Sequence, residues 1–249
     1  MKILICISSV PDTTTKIKPT GDGKEIDLAN VQWIINPWDE LALTRVLELK
    51  EQPNSKIEKI TVLTVGGRNA EPTIRKALAI GADDAIRVDT EPGDNYFTAF
   101  QIAQALKNYD SDIIICGIES SDYNGSSTGS MIAEMMDLPS VSSVSKLEIE
   151  SDTVKMNREI SGGFEVIEMP TPMVAIVQKG IAIEPRIPSM RGIMMARSKP
   201  LQVVESADVK PLTVFCSYTL PSPKAACKMV DAENMEELVN LLHNEAKII

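Results

Sequence analysis

The sequence has a single histidine and fewer basic than acidic residues, and these scarcities exclude several classes of protein. Against 35 Asp and Glu there are 25 Lys and Arg, which gives a formal net charge of -10. A nucleic-acid-binding surface needs clustered Lys and Arg, so this balance argues against one. His243 lies near the end of an amphipathic segment, where a helix-dipole partner is a better interpretation than a catalyst. We identify no acid–base pair and no nucleophilic set.

Cysteine and long apolar runs are equally scarce. The four cysteines have neither C-x-x-C spacing nor a histidine cluster, which argues against a metal site and against a disulfide framework. Cys6 and Cys116 lie in apolar, strand-like runs, so we expect buried, reduced thiols. No apolar run approaches the ~20 residues that span a bilayer, and Met1–Ile7 lacks the long apolar core of a signal peptide. These features predict a cytoplasmic protein that does not insert into membranes.

The sequence is rich instead in short β-branched runs that alternate with amphipathic segments. The predicted strands cover residues 2–8, 57–65, 85–88 and 112–116, with a turn at 10–13. The predicted helices cover residues 37–47, 71–80, 96–106 and 131–136. This order predicts an α/β fold, a doubly wound and mostly parallel sheet covered by helices on both faces.

The chain changes character after Pro139. Apolar and polar residues alternate, which predicts antiparallel strands at 144–150, 153–156 and 164–169, and a strand at 173–177 that rejoins the main sheet. From Glu184 onward, about 45 residues show no strong hydrophobic period and are interrupted by prolines. Such a segment is too long for a connection inside a compact domain. We therefore predict an antiparallel β addition, followed by an extended C-terminal arm that lies on another molecule and ends in a short amphipathic helix.

The segment from Cys116 to Gly129 has the composition of a phosphate-binding loop. It follows a predicted buried strand, at the end where open parallel sheets bind ligands. Its glycines let backbone N–H groups approach a ligand, and Ser127 or Thr128 can cap the next helix, whose N-terminus attracts anions. The alternative is an ordinary polar loop, because the segment matches neither the Walker P-loop nor the dinucleotide-binding glycine fingerprint.

A second helix start lies at residues 36–40. Asn36 fits the N-cap, and Pro37 fits the first helical position, whose N–H would be unpaired anyway. Asp39 and Glu40 place acid in the first turn, where the helix dipole favours it. From the residues alone, a simple helix cap is the first interpretation and a ligand-binding segment is the second.

Five segments together carry a resemblance to a known family. They are residues 35–39, 77–83, 117–129, 158–165 and 184–194. In this order and spacing they resemble the β subunit of the electron transfer flavoproteins, over nearly the whole chain. One departure is Ser161, which stands where the family usually has an acidic residue before the paired glycines.

The resemblance implies an adenine-nucleotide α-hydrolase-like domain that pairs with a homologous α subunit. It implies AMP in this subunit, FAD held mainly by the α subunit, and electrons that pass from flavin dehydrogenases, such as the acyl-CoA dehydrogenases of fatty acid oxidation, to a membrane quinone reductase. The chain is then an electron carrier subunit and not an enzyme. The implied nucleotide-binding residues are Cys6, Asn36, Pro37, Trp38, Asp39, Val65, Gly117, Ile118, Glu119, Ser120, Ser121, Asp122, Tyr123, Asn124, Gly125, Ser126, Ser127 and Thr128.

The resemblance also implies a recognition loop that docks on the partner dehydrogenase. Met190 stands where the family inserts a leucine, and methionine suits a surface that engages several partners. Without the resemblance, Met194 and Met195 are better candidates for the core. The implied organisation is a nucleotide-binding domain with its antiparallel addition at residues 1–185, then a recognition loop and arm at 186–249. The implied docking residues are Met190, Arg191, Ile193 and Met194.

Two alternatives stay open. Val10–Thr13 and Ser189–Arg197 resemble members from anaerobes in which the β subunit holds a second FAD, oxidises NADH and bifurcates electrons. Ser127–Met131 instead resembles the AMP-binding branch, which we favour. The fold alone also fits a stand-alone nucleotide-sensing protein of the universal-stress type, although such a protein has little use for a long arm.

Overall fold

A nine-stranded sheet organises the larger part of the chain. The computed structural model describes residues 1–150, 152–224 and 226–249. The strands are β1 (Lys2–Cys6), β2 (Ser9–Pro11), β3 (Trp33–Ile35), β4 (Lys59–Val65), β5 (Asp84–Asp89), β6 (Ile113–Gly117), β7 (Ser140–Glu150), β8 (Thr153–Ile160), β9 (Gly163–Pro170), β10 (Met173–Val177) and β11 (Leu201–Glu205). The helices are α1 (Pro37–Lys50), α2 (Glu71–Ile80), α3 (Asn95–Leu106), α4 (Thr128–Met135), α5 (Met190–Ala196) and α6 (Met235–Asn240). None of these described helices is long and apolar enough to cross a bilayer.

The order of the strands confirms the predicted fold class. In the large sheet they run β11-β5-β4-β1-β6-β10-β7-β8-β9. Neighbouring strands from β11 to β7 are parallel, and β7, β8 and β9 form an antiparallel addition. β10 lies between β6 and β7, so it is the strand that rejoins the main sheet, as predicted.

Helices cover both faces of the parallel part of this sheet. Ile3 and Ile5 of β1 enter a core shared with α1 and α2, whereas Leu4 and Cys6 enter a core shared with α3 and α4. Successive side chains of a strand point to opposite faces, so a strand buried on both faces needs a continuous apolar run. This explains why the run at the start of the chain has no polar alternation.

Three elements, β2, α5 and β11, correct the expectations from sequence. A turn was expected at residues 10–13, and residues 9–11 instead form β2, which pairs antiparallel with β3. The segment after Glu184 was expected to lack regular structure, and it contains α5 and β11. β11 pairs in parallel register with β5, from Leu201 opposite Ala85 to Glu205 opposite Asp89. α5 and β11 were missed because β11 is a largely exposed edge strand and α5 buries only Ala196.

The contacts within the chain define two units. The first comprises residues 1–17 and 28–216 and contains the large sheet, and the second comprises residues 18–27 and 217–249. In the second unit, the Tyr218 N–H donates to the Gly23 carbonyl oxygen at 2.7 Å. Its helix α6 is the short amphipathic helix that we predicted at the end of the arm. It continues as a π-helical turn, Leu241–Ala246. Residues 186–216 group with the sheet because β11 pairs with β5, while the functional division after residue 185 stays a prediction.

Candidate functional site

The carboxyl ends of three parallel strands lie side by side in the middle of the large sheet. β1 runs between β4 and β6, and Cys6 is opposite Leu63 in the β1–β4 pairing. The predicted site residues Cys6, Val65 and Gly117 therefore terminate neighbouring strands at one edge. Open parallel sheets bind ligands at this edge.

Asn36 joins this edge to residues 117–128, the β6–α4 loop. It occupies the predicted N-cap position of α1, but its side chain does not cap the helix. Asn36 Nδ2 donates to the Glu119 carbonyl oxygen at 2.9 Å, and Oδ1 accepts a hydrogen bond from the Ser121 N–H at 3.2 Å. Asn36 is therefore at the N-cap position as expected, but both ends of its amide bind the main chain of the loop in place of the helix.

Asp39 connects the ends of β1 and β6. Its Oδ2 accepts a hydrogen bond from the Ser8 N–H at 2.8 Å, and its Oδ1 accepts one from the Gly117 N–H at 3.1 Å. Asp39 is only 3% exposed. This burial raises the pKa of its carboxyl group to about 7, although hydrogen bonds from Ser8, Asn36 and Gly117 favour the ionised form.

Gly117 allows the start of α1 to approach β6 closely. A Cβ at this position would lie 2.8 Å from Trp38 Cβ and would overlap the Asp39 side chain. Glycine therefore leaves room at the end of β6 for the side chains at the start of α1. Residues 36–39 and 117–121, which the sequence identifies as separate segments, thus form one contiguous site.

The rest of the β6–α4 loop folds back on itself. Asn124 and Ser126 have positive φ angles of 50° and 48°, in the left-handed region. The Asn124 N–H donates to the Ser120 carbonyl oxygen at 2.8 Å, and Ser126 Oγ donates to Glu119 Oε2 at 2.8 Å. These contacts gather the hydroxyl and amide groups of the loop just before α4 begins.

The start of α4 has no side-chain cap. Ser127 is the N-cap residue, as predicted, but its side chain does not cap the helix. Ser127 Oγ instead accepts a hydrogen bond from Asn95 Nδ2 at 2.6 Å, and a Cβ at Gly125 would collide with the same Asn95 amide. The first-turn N–H groups of α4 therefore have no side-chain cap, and such groups are the ones with which a helix N-terminus binds an anion.

Two residues near the site were missed in the sequence. Asn95 is the first residue of α3, after the N-cap Asp94, whose side chain accepts a hydrogen bond from the Phe97 N–H at 2.8 Å. Thr64 Oγ1, near the carboxyl end of β4, is buried and has no hydrogen-bond partner among the described residues. The available signals were an Asp-Asn helix start and a hydroxyl within an otherwise apolar strand end.

Cys6 contributes packing at the end of β1. Cys6 and Cys116 are free and buried, as predicted. A hydrogen bond with Cys116, followed by burial, raises the pKa of the Cys6 thiol well above its usual value. Because the thiolate is the reactive form of cysteine, the Cys6 thiol is chemically inert at neutral pH.

A segment that follows β11 braces the β6–α4 loop. Asp94 Oδ2 accepts hydrogen bonds from the Leu212 N–H at 2.8 Å and the Thr213 N–H at 2.7 Å. Further along the same segment, the Phe215 ring lies edge-on to the Tyr123 ring, with centroids 5.5 Å apart. Residues 212–215 therefore connect the start of α3 to the loop through two separate contacts.

The predicted recognition segment includes a short helix with exposed apolar side chains. Met190 is 77% exposed and Met194 is 72% exposed, and a Cβ at Gly192 would overlap the Ala79 carbonyl oxygen of α2. The helix is thus seated closely on α2 while its methionines stay outside. The interpretation of Met194 and Met195 as core residues was wrong. All four predicted docking residues are exposed: Met190, Arg191, Ile193 and Met194.

Comparison with known proteins agrees with this arrangement. Residues 25–209 match the family model described as the electron transfer flavoprotein domain. The chain is 34% identical to the electron transfer flavoprotein subunit beta of Bacillus subtilis, with all of both chains covered. It is 35% identical to the subunit beta of Syntrophomonas wolfei, over 94% of this chain and 91% of that one. It is also 30% identical to the acryloyl-CoA reductase electron transfer subunit gamma of Anaerotignum propionicum, over 97% of this chain and 98% of that one. The chain therefore belongs to the electron transfer flavoprotein family, as a beta subunit.

Proposed function

We propose that this subunit binds AMP at the edge formed by β1, β4 and β6, and that it pairs with an α subunit that holds most of the FAD. The observation that carries this proposal is the convergence of residues 36–39, Cys6, Val65 and the β6–α4 loop. These segments are far apart in sequence and lie at the ligand-binding edge of the sheet.

The residues present fit an adenylate. Backbone N–H groups at the uncapped start of α4 suit a phosphate group. We assign the ends of β1 and β4 to the adenine and ribose, with Cys6 and Val65 supplying packing there.

The proposed role of the complex is to carry electrons in the cytoplasm. When bound, FAD accepts and returns electrons, and the residues of this subunit contribute position and electrostatics. Flavin dehydrogenases, such as acyl-CoA dehydrogenases, are the proposed donors, and a quinone reductase is the proposed acceptor. The exposed methionines of α5 support docking to more than one donor, because methionine side chains adapt to different surfaces. The name of the Anaerotignum propionicum relative ties that protein to a reductase of an acyl-CoA compound, so it supports a partner that acts on acyl-CoA compounds without supporting that partner as the electron donor.

The second candidate is a bifurcating complex in which FAD replaces AMP in this subunit. The sequences of Val10–Thr13 and Ser189–Arg197 favour it. FAD contains an adenylate, so the same strand ends could hold that half of the molecule. The two candidates therefore differ in the nucleotide and not in the location of the site.

The nucleotide content of the purified αβ complex distinguishes these candidates. Denaturation followed by chromatography is expected to release AMP and FAD in equal amounts. Two FAD and no AMP would favour the bifurcating complex, which also predicts reduction by NADH. If the chain fails to associate with a co-expressed α subunit, both candidates are wrong.

A further inference from the structure

Every polar atom of the Asn36 and Asp39 side chains already has a hydrogen-bond partner within the protein. Both atoms of the Asn36 amide contact the main chain of the β6–α4 loop, at Glu119 and Ser121. Both oxygens of Asp39 accept hydrogen bonds from backbone N–H groups, those of Ser8 and Gly117. Asn36 is 1% exposed and Asp39 is 3% exposed, so a ligand cannot reach either side chain without rearrangement.

The intervening and facing residues are placed differently. Pro37 and Trp38 are half-buried, and Ser120 and Ser121 of the loop are also half-buried. The surface that a ligand can touch is therefore formed by residues 37–38 on α1 and by residues 120–121 on the loop, and not by the side chains of Asn36 and Asp39.

We propose that Asn36 and Asp39 are positioning residues: they fix the main chain of residues 117–121 for the adenylate and contribute no side-chain atom to it. This inference rests on the proposed function and refines the part that these two residues have in it. The two residues lie one turn apart at the start of α1, so a single helix sets the place of the whole loop entrance.

The residue types suit this task. A planar amide has one donor side and one acceptor side, which match the carbonyl oxygen of Glu119 and the N–H of Ser121. A carboxyl group offers two acceptor oxygens, which here take the N–H groups of Ser8 and Gly117 at the ends of β1 and β6. Gly117 lies so close to the start of α1 that a Cβ there would fall 2.8 Å from Trp38 Cβ.

The test measures the dissociation constants of AMP, GMP and adenosine for the αβ complex, after removal and restoration of nucleotide. In Asn36→Ala, loss of two hydrogen bonds to the loop is expected to weaken AMP binding about 10- to 100-fold. Because no ligand group is contacted, the ratios among the three constants are expected to stay at their wild-type values.

Two further variants keep the inference open to disproof. Asn36→Asp retains the acceptor for Ser121 and loses the donor to Glu119, so its AMP affinity should also fall at unchanged ligand ratios, and it serves if Asn36→Ala does not fold. Thr44→Ala is the matched control: it removes another buried hydrogen bond on α1, to the Arg186 N–H, and is expected to change AMP affinity by less than about twofold.

The outcomes are distinct. An altered ratio among AMP, GMP and adenosine in the Asn36 variants would mean that the side chain contacts the ligand, and unchanged affinity would mean that it does not position the loop. Either result overturns this inference and leaves AMP binding intact. A wild-type complex that binds none of the three ligands overturns the proposed function together with the inference.

Discussion

At the scale of single residues, Asp39 has the most unusual environment in the site. Burial raises its pKa from 3.8 to about 7, so the folded chain keeps a proton that the unfolded chain releases between these values. A raised carboxyl pKa gives a stabilising contribution that is complete below about pH 4 and is lost as the pH rises to about 7. Asp122 adds to the shift by its negative charge.

The substitution Asp39→Asn tests this titration. An amide does not ionise, so the variant lacks the pH-dependent part, although its NH₂ group facing an N–H donor lowers stability by a constant amount. The free energy of unfolding of the wild type, minus that of the variant, is expected to fall by up to about 4 kcal/mol between pH 4 and pH 7, at 1.36 kcal/mol per pKa unit. Urea titrations at several pH values measure it. A difference that does not change with pH contradicts the raised pKa.

The same residues show what sequence can and cannot reveal. Asn36, Pro37 and Asp39 were correctly placed at the start of a helix, because caps and first-turn preferences are local. The partners of Asn36 were not predicted, because Glu119 and Ser121 lie more than 80 positions away. Whether a side chain caps its own helix or binds a distant main chain depends on the tertiary fold.

At the scale of elements, local pattern strength separates what was predicted from what was missed. β10 was predicted at the correct residues, since Met173–Val177 is a continuous apolar run buried on both faces. β11 was missed because only partial burial marks an edge strand, and its pairing with β5 spans more than 100 positions. A strand whose side chains are buried has a recognisable apolar pattern in its sequence. The side chains of β11 are mostly exposed, so its sequence lacks that pattern.

The α5 helix leads to a prediction about docking. Met190 is exposed and makes no contribution to the buried core, so Met190→Asp should leave AMP and FAD content unchanged. A charge in an apolar docking contact is costly to desolvate, so electron transfer from the donor dehydrogenase is expected to slow at least about tenfold. Stopped-flow reduction of the complex by the dehydrogenase measures this rate.

Val203→Asp is a suitable control for Met190→Asp. Val203 is also an exposed apolar residue, but it lies on β11 and not on α5. The control is expected to transfer electrons at the wild-type rate. Equal slowing in both variants would indicate a general effect of added negative charge, and no slowing in Met190→Asp would place the docking surface elsewhere.

At the scale of the whole molecule, the site depends on the sheet more than on any one motif. The β6–α4 loop alone is compatible with an ordinary polar loop. It becomes a candidate adenylate site because β1 lies between β4 and β6 and because α1 starts against Gly117. The sequence predicted the strands and therefore the edge, and the winding rule for parallel sheets placed their carboxyl ends together.

A ligand that bridges several strand ends should stabilise the fold as a unit. AMP contacts only the folded state in this proposal, so free AMP at about 100 times its dissociation constant should raise the free energy of unfolding by about 2.7 kcal/mol. Urea titration of nucleotide-free complex, with and without AMP, measures the change, and inorganic phosphate at the same concentration is the control. Stabilisation by phosphate equal to that by AMP would mean that only the start of α4 is engaged. Stabilisation by AMP alone requires the strand ends that frame the rest of the nucleotide, because those are the parts of the site that phosphate cannot reach.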